Sequence, residues 1–61
     1  MFKLWCEWDI GQENCIFSSE GAAWNYFQRN LNLDEFGGEF FSHKQIFDEG
    51  LAGIEGVRVD P

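Results

Sequence analysis

Residues 2–10 alternate strictly in side-chain type, and this is the strongest structural signal in the sequence. The even positions are apolar: Phe2, Leu4, Cys6, Trp8 and Ile10. The odd positions hold Lys3, Trp5, Glu7 and Asp9. A period of two is typical of a β-strand with one buried face. The sequence therefore predicts a first strand over residues 2–10, with its even face toward the core.

A turn and a second strand are predicted to follow. Gly11-Gln12-Glu13-Asn14 breaks the alternation with turn-compatible residues, and Cys15-Ile16-Phe17 resumes a β-prone run. This order predicts an N-terminal hairpin with two possible registers. A three-residue loop pairs Trp8 with Ile16, whereas a four-residue loop pairs Trp8 with Phe17. The two registers bury opposite sides of the second strand.

Two helices are predicted from their start signals. Ser18-Ser19-Glu20 offers a capping oxygen and a carboxylate for a first turn, and a helix body follows over residues 22–31. Ser42-His43-Lys44-Gln45 matches the capping box, in which the serine and glutamine side chains each bind the other's backbone amide. A second, short helix is predicted there, closed by Gly50 or Gly53.

The remaining segments complete the predicted fold. Residues 32–41 are predicted to form a loop held down by its phenylalanines, and Ile54 to Val59 a last strand. The order ββααβ predicts one α+β domain over residues 1–61. Its sheet is expected to be three-stranded and mainly antiparallel, formed by the N-terminal hairpin and the C-terminal strand, with the helices on one face. The first strand is placed centrally, which leaves two edges open to pairing between chains.

The composition of the chain limits its function. The 61 residues include seven Phe, three Trp and one Tyr, and each such ring buries roughly 150 to 250 Å². The chain is therefore expected to fold without disulfide bonds or bound metal ions. A domain near this size buries only about 60% of its unfolded surface, which leaves little room for an enclosed substrate cavity. We expect a protein that is not an enzyme.

The charge balance indicates which partners the chain can bind. Eleven acidic residues against four basic ones give a net charge of -7. This charge opposes direct binding to nucleic acid or to an anionic membrane, and it favours either a basic partner or simple solubility. Because Lys3 and Glu7 interrupt the apolar residues near the start, we expect no signal peptide and a cytoplasmic location.

The cysteines and the histidine give weak signals for covalent or metal chemistry. Cys6 and Cys15 face each other only if the hairpin turns through Ile10-Gly11, an unfavourable two-residue turn, so we expect reduced thiols. Adding His43 makes three dispersed ligands with no C-x-x-C pair, and we expect no metal and no cofactor. Ser42 next to His43 is predicted to cap a helix, not to act as a nucleophile with its base.

Acidic residues occur close to aromatic ones in two segments. The first set is Trp5, Glu7, Asp9 and Glu13, and the second is Asp34, Glu35 and Glu39 around Phe36, Phe40 and Phe41. An exposed ring surrounded by carboxylates suits protein binding, since the ring anchors the partner and the charge steers it. We expect Trp5 to lie at an interface and the three phenylalanines to complete the core.

The first acidic set also permits a different hypothesis. Alternate residues of a strand lie about 6.5 to 7 Å apart, which is roughly the phosphate spacing of one nucleic-acid strand. Glu7, Asp9 and the nearby Glu13 would then form a short row of carboxylates that imitates phosphates. On this hypothesis the protein is a nucleic-acid mimic.

The layout of the chain resembles that of small acidic accessory proteins of tailed bacteriophages. The resemblance covers Lys3 to Gly11, then Cys15-Ile16-Phe17-Ser18-Ser19 leading into an Ala-Ala-Trp helix, and the closing Gly50-Leu51-Ala52-Gly53-Ile54-Glu55. It implies a host-takeover or anti-defence role in the host cytoplasm, exerted by binding and blocking a host protein. No shared site exists from which a functional residue can be carried over.

The sequence thus predicts a small acidic protein-binding module that works as an inhibitor or adaptor. Its expected target is a host protein that has a basic surface or binds nucleic acid. The alternatives are a structural homo-oligomer that completes its core through sheet edges and the nucleic-acid mimic. A homodimer or higher homo-oligomer is compatible with the first function as well.

Overall fold

Two antiparallel strands form the sheet in the computed structural model, which describes residues 1–58. They are β1 (Phe2–Cys6) and β2 (Ala52–Gly56). Between them lie two helices, α1 (Glu20–Asn30) and α2 (His43–Asp48), so the domain belongs to the predicted α+β class. Short 3₁₀ turns at Gln12–Asn14 and Leu33–Phe36 complete the order of elements.

The register of the sheet separates an inner face from an outer face. On the inner face Leu4 pairs with Ile54 and Cys6 pairs with Ala52. The outer face carries two further cross-strand pairs, Lys3 with Glu55 and Trp5 with Gly53. Because neighbouring residues of a strand point to opposite faces, Trp5 is on the outer face, as the alternation predicts.

Both helices begin at the serines predicted to cap them. Ser19 Oγ accepts a hydrogen bond from the amide of Ala22 at 3.1 Å, and Ser42 Oγ accepts one from the amide of Gln45 at 3.2 Å. The second half of the predicted capping box differs from the structure. Gln45 Oε1 accepts from the amide of Phe41 at 2.7 Å, one residue before the serine, and this bond fixes the chain that enters α2.

The end of α2 depends on a glycine with positive φ. Gly50 has a φ of 77°, a left-handed conformation that residues with a Cβ rarely adopt. The amide of Gly50 donates to Phe47 O at 3.0 Å and the amide of Leu51 donates to Ile46 O at 3.1 Å. These two bonds form the Schellman motif, which ends the helix and turns the chain directly into β2.

The core lies between the inner face of the sheet and the two helices. Its buried apolar residues are Leu4, Ala23, Phe27, Leu31, Phe40, Ile46 and Ala52. Phe27 and Ile46 are 0% exposed and are the largest fully buried side chains. Among residues 1–58, neither helix is long and apolar enough to cross a membrane.

The predicted hairpin is not formed in the described part of the chain, whose sheet has two strands. β1 ends at Cys6 instead of Ile10, and Cys15-Ile16-Phe17 contributes a single bridge in place of a strand. Phe17 pairs with Phe2 through two backbone hydrogen bonds of 2.8 Å. Neither predicted register occurs, although Phe17 does lie on the edge of β1 opposite β2.

The side chain of Gln12 explains why the first strand stops early. Its Oε1 accepts from the amide of Ile10 at 2.9 Å and its Nε2 donates to the carbonyl of Trp8 at 3.0 Å. These backbone groups would otherwise continue the strand ladder or turn to solvent. Because a side chain binds them, residues 8–12 fold into a loop while Trp8 and Ile10 still pack against the core.

The last strand also differs from its predicted bounds. β2 covers Ala52–Gly56, whereas the positions of the β-prone residues predicted a strand from Ile54 to Val59. Ala52 is 3% exposed and pairs opposite Cys6, so it belongs to the core. Val57 follows the strand and donates its amide to Met1 O at 2.9 Å. Val59 lies outside the described residues.

Candidate functional site

The outer face of the sheet carries the first predicted contact residue. Trp5 is 43% exposed, and its indole lies directly over Gly53. A Cβ added at Gly53 would be 2.6 Å from Trp5 Nε1 and 2.8 Å from Trp5 Cε2. Because glycine has no side chain, the indole can lie directly on the backbone at position 53. The ring is held on the sheet with its other face toward solvent.

Replacing Gly53 with Ala should force the indole of Trp5 off the sheet, because a methyl group cannot fit at 2.6 Å. We expect Gly53→Ala to lower the free energy of unfolding and to shift the tryptophan emission to longer wavelength. In a Trp5→Ala background the same change should cost little, so a double-mutant cycle measured by urea unfolding should give a coupling of about 1 kcal/mol.

The control for this cycle is Gly56→Ala in the same strand. Gly56 is exposed, has no positive φ, and has open space where its Cβ would be. This change should leave the stability nearly the same or raise it, since alanine has less chain entropy to lose than glycine. Equal costs of Gly53→Ala with and without Trp5 would contradict the proposed seat.

Trp5 and Glu13 line one shallow groove, while Glu7 and Asp9 lie beyond the end of β1. The groove has a volume of about 150 Å³ and is lined by Lys3, Leu4, Trp5, Cys6, Gln12, Glu13 and Glu55. Glu7 donates its amide to Leu51 O at 3.0 Å. Asp9 Oδ1 accepts from the amide of Gly11 at 3.1 Å, so this carboxylate also stabilises the turn. All three acidic residues of the first set are exposed.

An aromatic cluster joins the two predicted acidic sets. The ring of Trp8, between Glu7 and Asp9 in sequence, lies 4.9 Å from the ring of Phe36 and 5.9 Å from that of Phe40. Phe36 and Phe40 are themselves 5.4 Å apart. These edge-on contacts are favourable for aromatic rings and hold the two segments together. We name as the acidic collar the exposed carboxylates next to this cluster in sequence: Glu7, Asp9, Asp34, Glu35 and Glu39.

The prediction that three phenylalanines complete the core is wrong for Phe41. Phe40 is 8% exposed and Phe36 packs against the core, but Phe41 is 90% exposed. Phe41 precedes the capping serine of α2, where an apolar residue often packs on the fourth residue of the helix, here Ile46. Ile46 is fully buried by other groups. The amide of Phe41 is fixed by Gln45, and its ring extends into solvent two residues after Glu39 in the chain.

Both cysteines are free thiols, and the surroundings of Cys6 make it a poor nucleophile. Cys6 Sγ donates to Trp8 O at 2.9 Å. Burial raises the pKa of this thiol, and the charges of Asp9 and Glu7 raise the pKa further, against a smaller lowering effect of the Trp8 backbone. Since the thiolate is the reactive form, this arrangement keeps Cys6 in the unreactive form at neutral pH.

Tyr26 holds the loop after β1 against α1. Its hydroxyl donates to Ile10 O at 2.6 Å. Loss of solvent raises the pKa of Tyr26, and so do the neighbouring Cys15 side chain and the charge of Asp9. The raised pKa values of Cys6 and Tyr26 both favour the neutral side chain in the folded state, so they stabilise the fold at neutral pH. That contribution falls as the pH rises past the ordinary pKa values of these two side chains.

The imidazole of His43 is part of the core packing. Its Nε2 donates to Leu31 O at 2.8 Å, because a carbonyl oxygen can only accept. The ring lies 5.4 Å from Phe27 and 6.5 Å from Trp24 in edge-on contacts. With the hydroxyl of Ser42 bound to the amide of Gln45, the two residues have separate structural tasks.

The regular row of carboxylates needed by the mimic hypothesis is not formed. That row requires a strand that continues to Asp9, but β1 ends at Cys6 and Glu13 lies on a 3₁₀ turn. The spacing of alternate strand residues therefore does not apply to Glu7, Asp9 and Glu13. Within residues 1–58 no group of three or more His, Cys, Asp or Glu side chains is arranged to hold a metal ion.

Sequence reasoning missed two residues that shape this surface. Phe41 was expected in the core, and Gln12 was expected to be an ordinary turn residue. The only local signal for Phe41 is the doubled Phe40-Phe41 before a capping serine, where one of two adjacent rings must turn away from the core. Comparisons of the chain with known protein families, with curated proteins and with solved structures found no match.

Proposed function

We propose that this protein is a non-enzymatic binding module that docks on a basic protein surface through the acidic collar and the exposed ring of Phe41. The observation that carries the proposal is the 90% exposure of Phe41, two residues after Glu39 in the chain. Leaving a phenylalanine in water costs free energy that burial in a partner would recover, about 1.5 to 3 kcal/mol for a full side chain. Trp5 and Glu13 extend the contact surface onto the sheet.

The arrangement of charge supports a basic partner. The contacts of Trp8 with Phe36 and Phe40 bring together the segments around residues 7–9 and 34–39, which carry the acidic collar. A net charge of -7 on 61 residues attracts a positive surface at long range. An exposed aromatic anchor on an acidic protein is expected to give fast, salt-dependent association with a basic partner.

The mode of action proposed is inhibition or adaptation of a host protein with a basic or nucleic-acid-binding surface. A compact acidic domain that covers such a surface blocks its access to nucleic acid without any chemistry of its own. This proposal agrees with the role implied by the resemblance to small phage accessory proteins. It places the protein where its partner is, in the cytoplasm of the host.

The test compares capture by matched variants at low and high salt. The tagged protein should retain one basic protein from host lysate at low salt and release it at high salt, as identified by mass spectrometry. Phe41→Ser and the pair Asp34→Asn with Glu39→Gln should each weaken binding to the purified target at least about tenfold, which corresponds to about 1.4 kcal/mol. All three positions are exposed, so the domain should stay folded.

A charge-matched control separates the acidic collar from the net charge. Asp48 and Glu49 are exposed at the end of α2, and the pair Asp48→Asn with Glu49→Gln removes the same two charges from another place. This control should retain nearly full affinity. Equal loss of affinity in the two double variants would contradict a docking surface at the acidic collar. So would a Phe41→Ser variant that binds like the wild type.

A homo-oligomer is the second candidate, favoured by the open edge of the sheet. Within residues 1–58, β2 pairs with β1 on one side and has no further strand on the other. Two strands alone are marginal, and pairing of two β2 edges would give a four-stranded sheet. The charge of -7 opposes this association. Failure to capture any protein, together with a dimeric mass in solution, would favour it.

A further inference from the structure

We propose that the shallow groove lined by Trp5 and Glu13 binds one arginine side chain of the partner. This inference rests on the proposed docking to a basic protein. The groove lies between residues of β1, Glu55 of β2 and the 3₁₀ turn Gln12–Asn14. Its volume of about 150 Å³ is well below the roughly 300 Å³ at which small-molecule pockets begin. It suits a single extended side chain.

The aromatic side of the groove is fixed before any ligand arrives. The indole of Trp5 lies against the backbone of Gly53, and 43% of the residue remains exposed. Indole is the best of the protein rings for binding a cation over its face. A guanidinium is planar and weakly hydrated, so it stacks on such a ring better than an ammonium does.

The charged side of the groove selects for a cation. Glu13 and Glu55 line it with exposed carboxylates. The side-chain amide of Gln12, which also lines the groove, binds the backbone of Ile10 and Trp8. Two carboxylates and an indole face are the groups that recognise a guanidinium by paired hydrogen bonds and by stacking.

The groove already contains one cationic residue of this chain, Lys3. Lys3 lies directly opposite Glu55 in the ladder and lines the same groove. It partly neutralises the site and repels an incoming cation. A partner arginine must therefore compete with Lys3, so removing the lysine charge should strengthen binding. A general effect of surface charge would not depend on this one position more than on other bases.

The test is an NMR titration of the full chain with two blocked tripeptides. One is Gly-Arg-Gly and the other carries citrulline, which has the shape of arginine without its charge. The arginine peptide should shift the Trp5 indole N–H resonance, assigned by its loss in Trp5→Phe, and saturate. The citrulline peptide should bind at least about tenfold more weakly.

Three variants make the assignment specific. Glu13→Gln should weaken the affinity for the arginine peptide at least about threefold, and Lys3→Gln should strengthen it by about the same factor. Glu49→Gln should leave the affinity unchanged. Equal binding of the two peptides, no saturable shift, or a Lys3→Gln variant with unaltered or weaker binding would overturn the proposal. The titration uses no partner protein. Its failure would therefore leave the capture test of Phe41 and the acidic collar unaffected, and failure of that test would leave the groove intact.

Discussion

Replacing Phe27 with Ala should remove a large part of the free energy of unfolding of the protein. Phe27 is 0% exposed and its ring lies 5.1 Å from Phe47, 5.4 Å from His43 and 6.0 Å from Trp24. Truncating such a residue costs about 3 to 5 kcal/mol, from lost transfer free energy and the cavity left behind. A 61-residue domain has only about 3 to 9 kcal/mol of total stability, at about 0.05 to 0.15 kcal/mol per residue.

The measurement is urea unfolding followed by far-UV circular dichroism. Gln28→Ala, one residue further along the same helix and exposed, should retain wild-type stability because it removes no buried contact and alanine favours helix. Phe27→Leu keeps an apolar side chain in place and should cost clearly less than alanine. A loss below about 1 kcal/mol for Phe27→Ala would mean that the core collapses around the cavity and that the aromatic contacts are not its main support.

The helices were predictable because their signals lie within a few residues. Ser19 and Ser42 cap α1 and α2, and each hydrogen bond spans three residues. The class α+β follows from these helices and the first alternation. The end of α2 was predicted at Gly50 or Gly53, and the structure has it at Gly50, whose φ of 77° glycine adopts without strain.

The strands were less predictable because tertiary contacts decide them. Residues 52–56 include alanine and two glycines, which are poor strand formers, yet they form β2. Pairing with β1 stabilises them: Ala52 is buried opposite Cys6, and Gly53 is covered by the indole of Trp5. Such partners are distant in sequence. Local propensity therefore favoured residues 54–59 and missed the start of the strand.

The candidate site shows the same division. Exposure of the acids follows from their hydration and was predictable from residue type alone. That Glu7 and Asp9 share an aromatic cluster with the segment of Glu39 depends on the contacts of Trp8, which the alternation placed only on an inner face. The amide of Phe41 is bound by Gln45 at the start of α2 while its ring stays exposed. The first of these facts arises from packing between distant segments, and the second from which of two adjacent rings enters the core.

Replacing Gln12 with Ala should also destabilise the protein strongly. Gln12 is the only buried polar residue among residues 1–58, at 4% exposed. Its side chain binds both the amide of Ile10 and the carbonyl of Trp8. A buried polar group left without a partner costs about 1 to 3 kcal/mol, so two such groups cost about 2 to 6 kcal/mol when fully buried, and this partly buried pair should cost less than that upper limit. Urea unfolding measures the loss, and amide hydrogen exchange at Ile10 should accelerate beyond the global change.

Gln12→Glu separates the two bonds. The glutamate keeps an acceptor for the amide of Ile10 but sets a carboxylate oxygen against the carbonyl of Trp8, where the glutamine donates. Protonation restores a donor there, so the pKa of the new carboxyl should be raised in the folded state. Its neutral form is then favoured by folding, and Gln12→Glu should recover stability relative to the wild type as the pH falls. If the difference between the two proteins stays constant with pH, the donation to Trp8 is not what holds the loop, and the early end of β1 must have another cause.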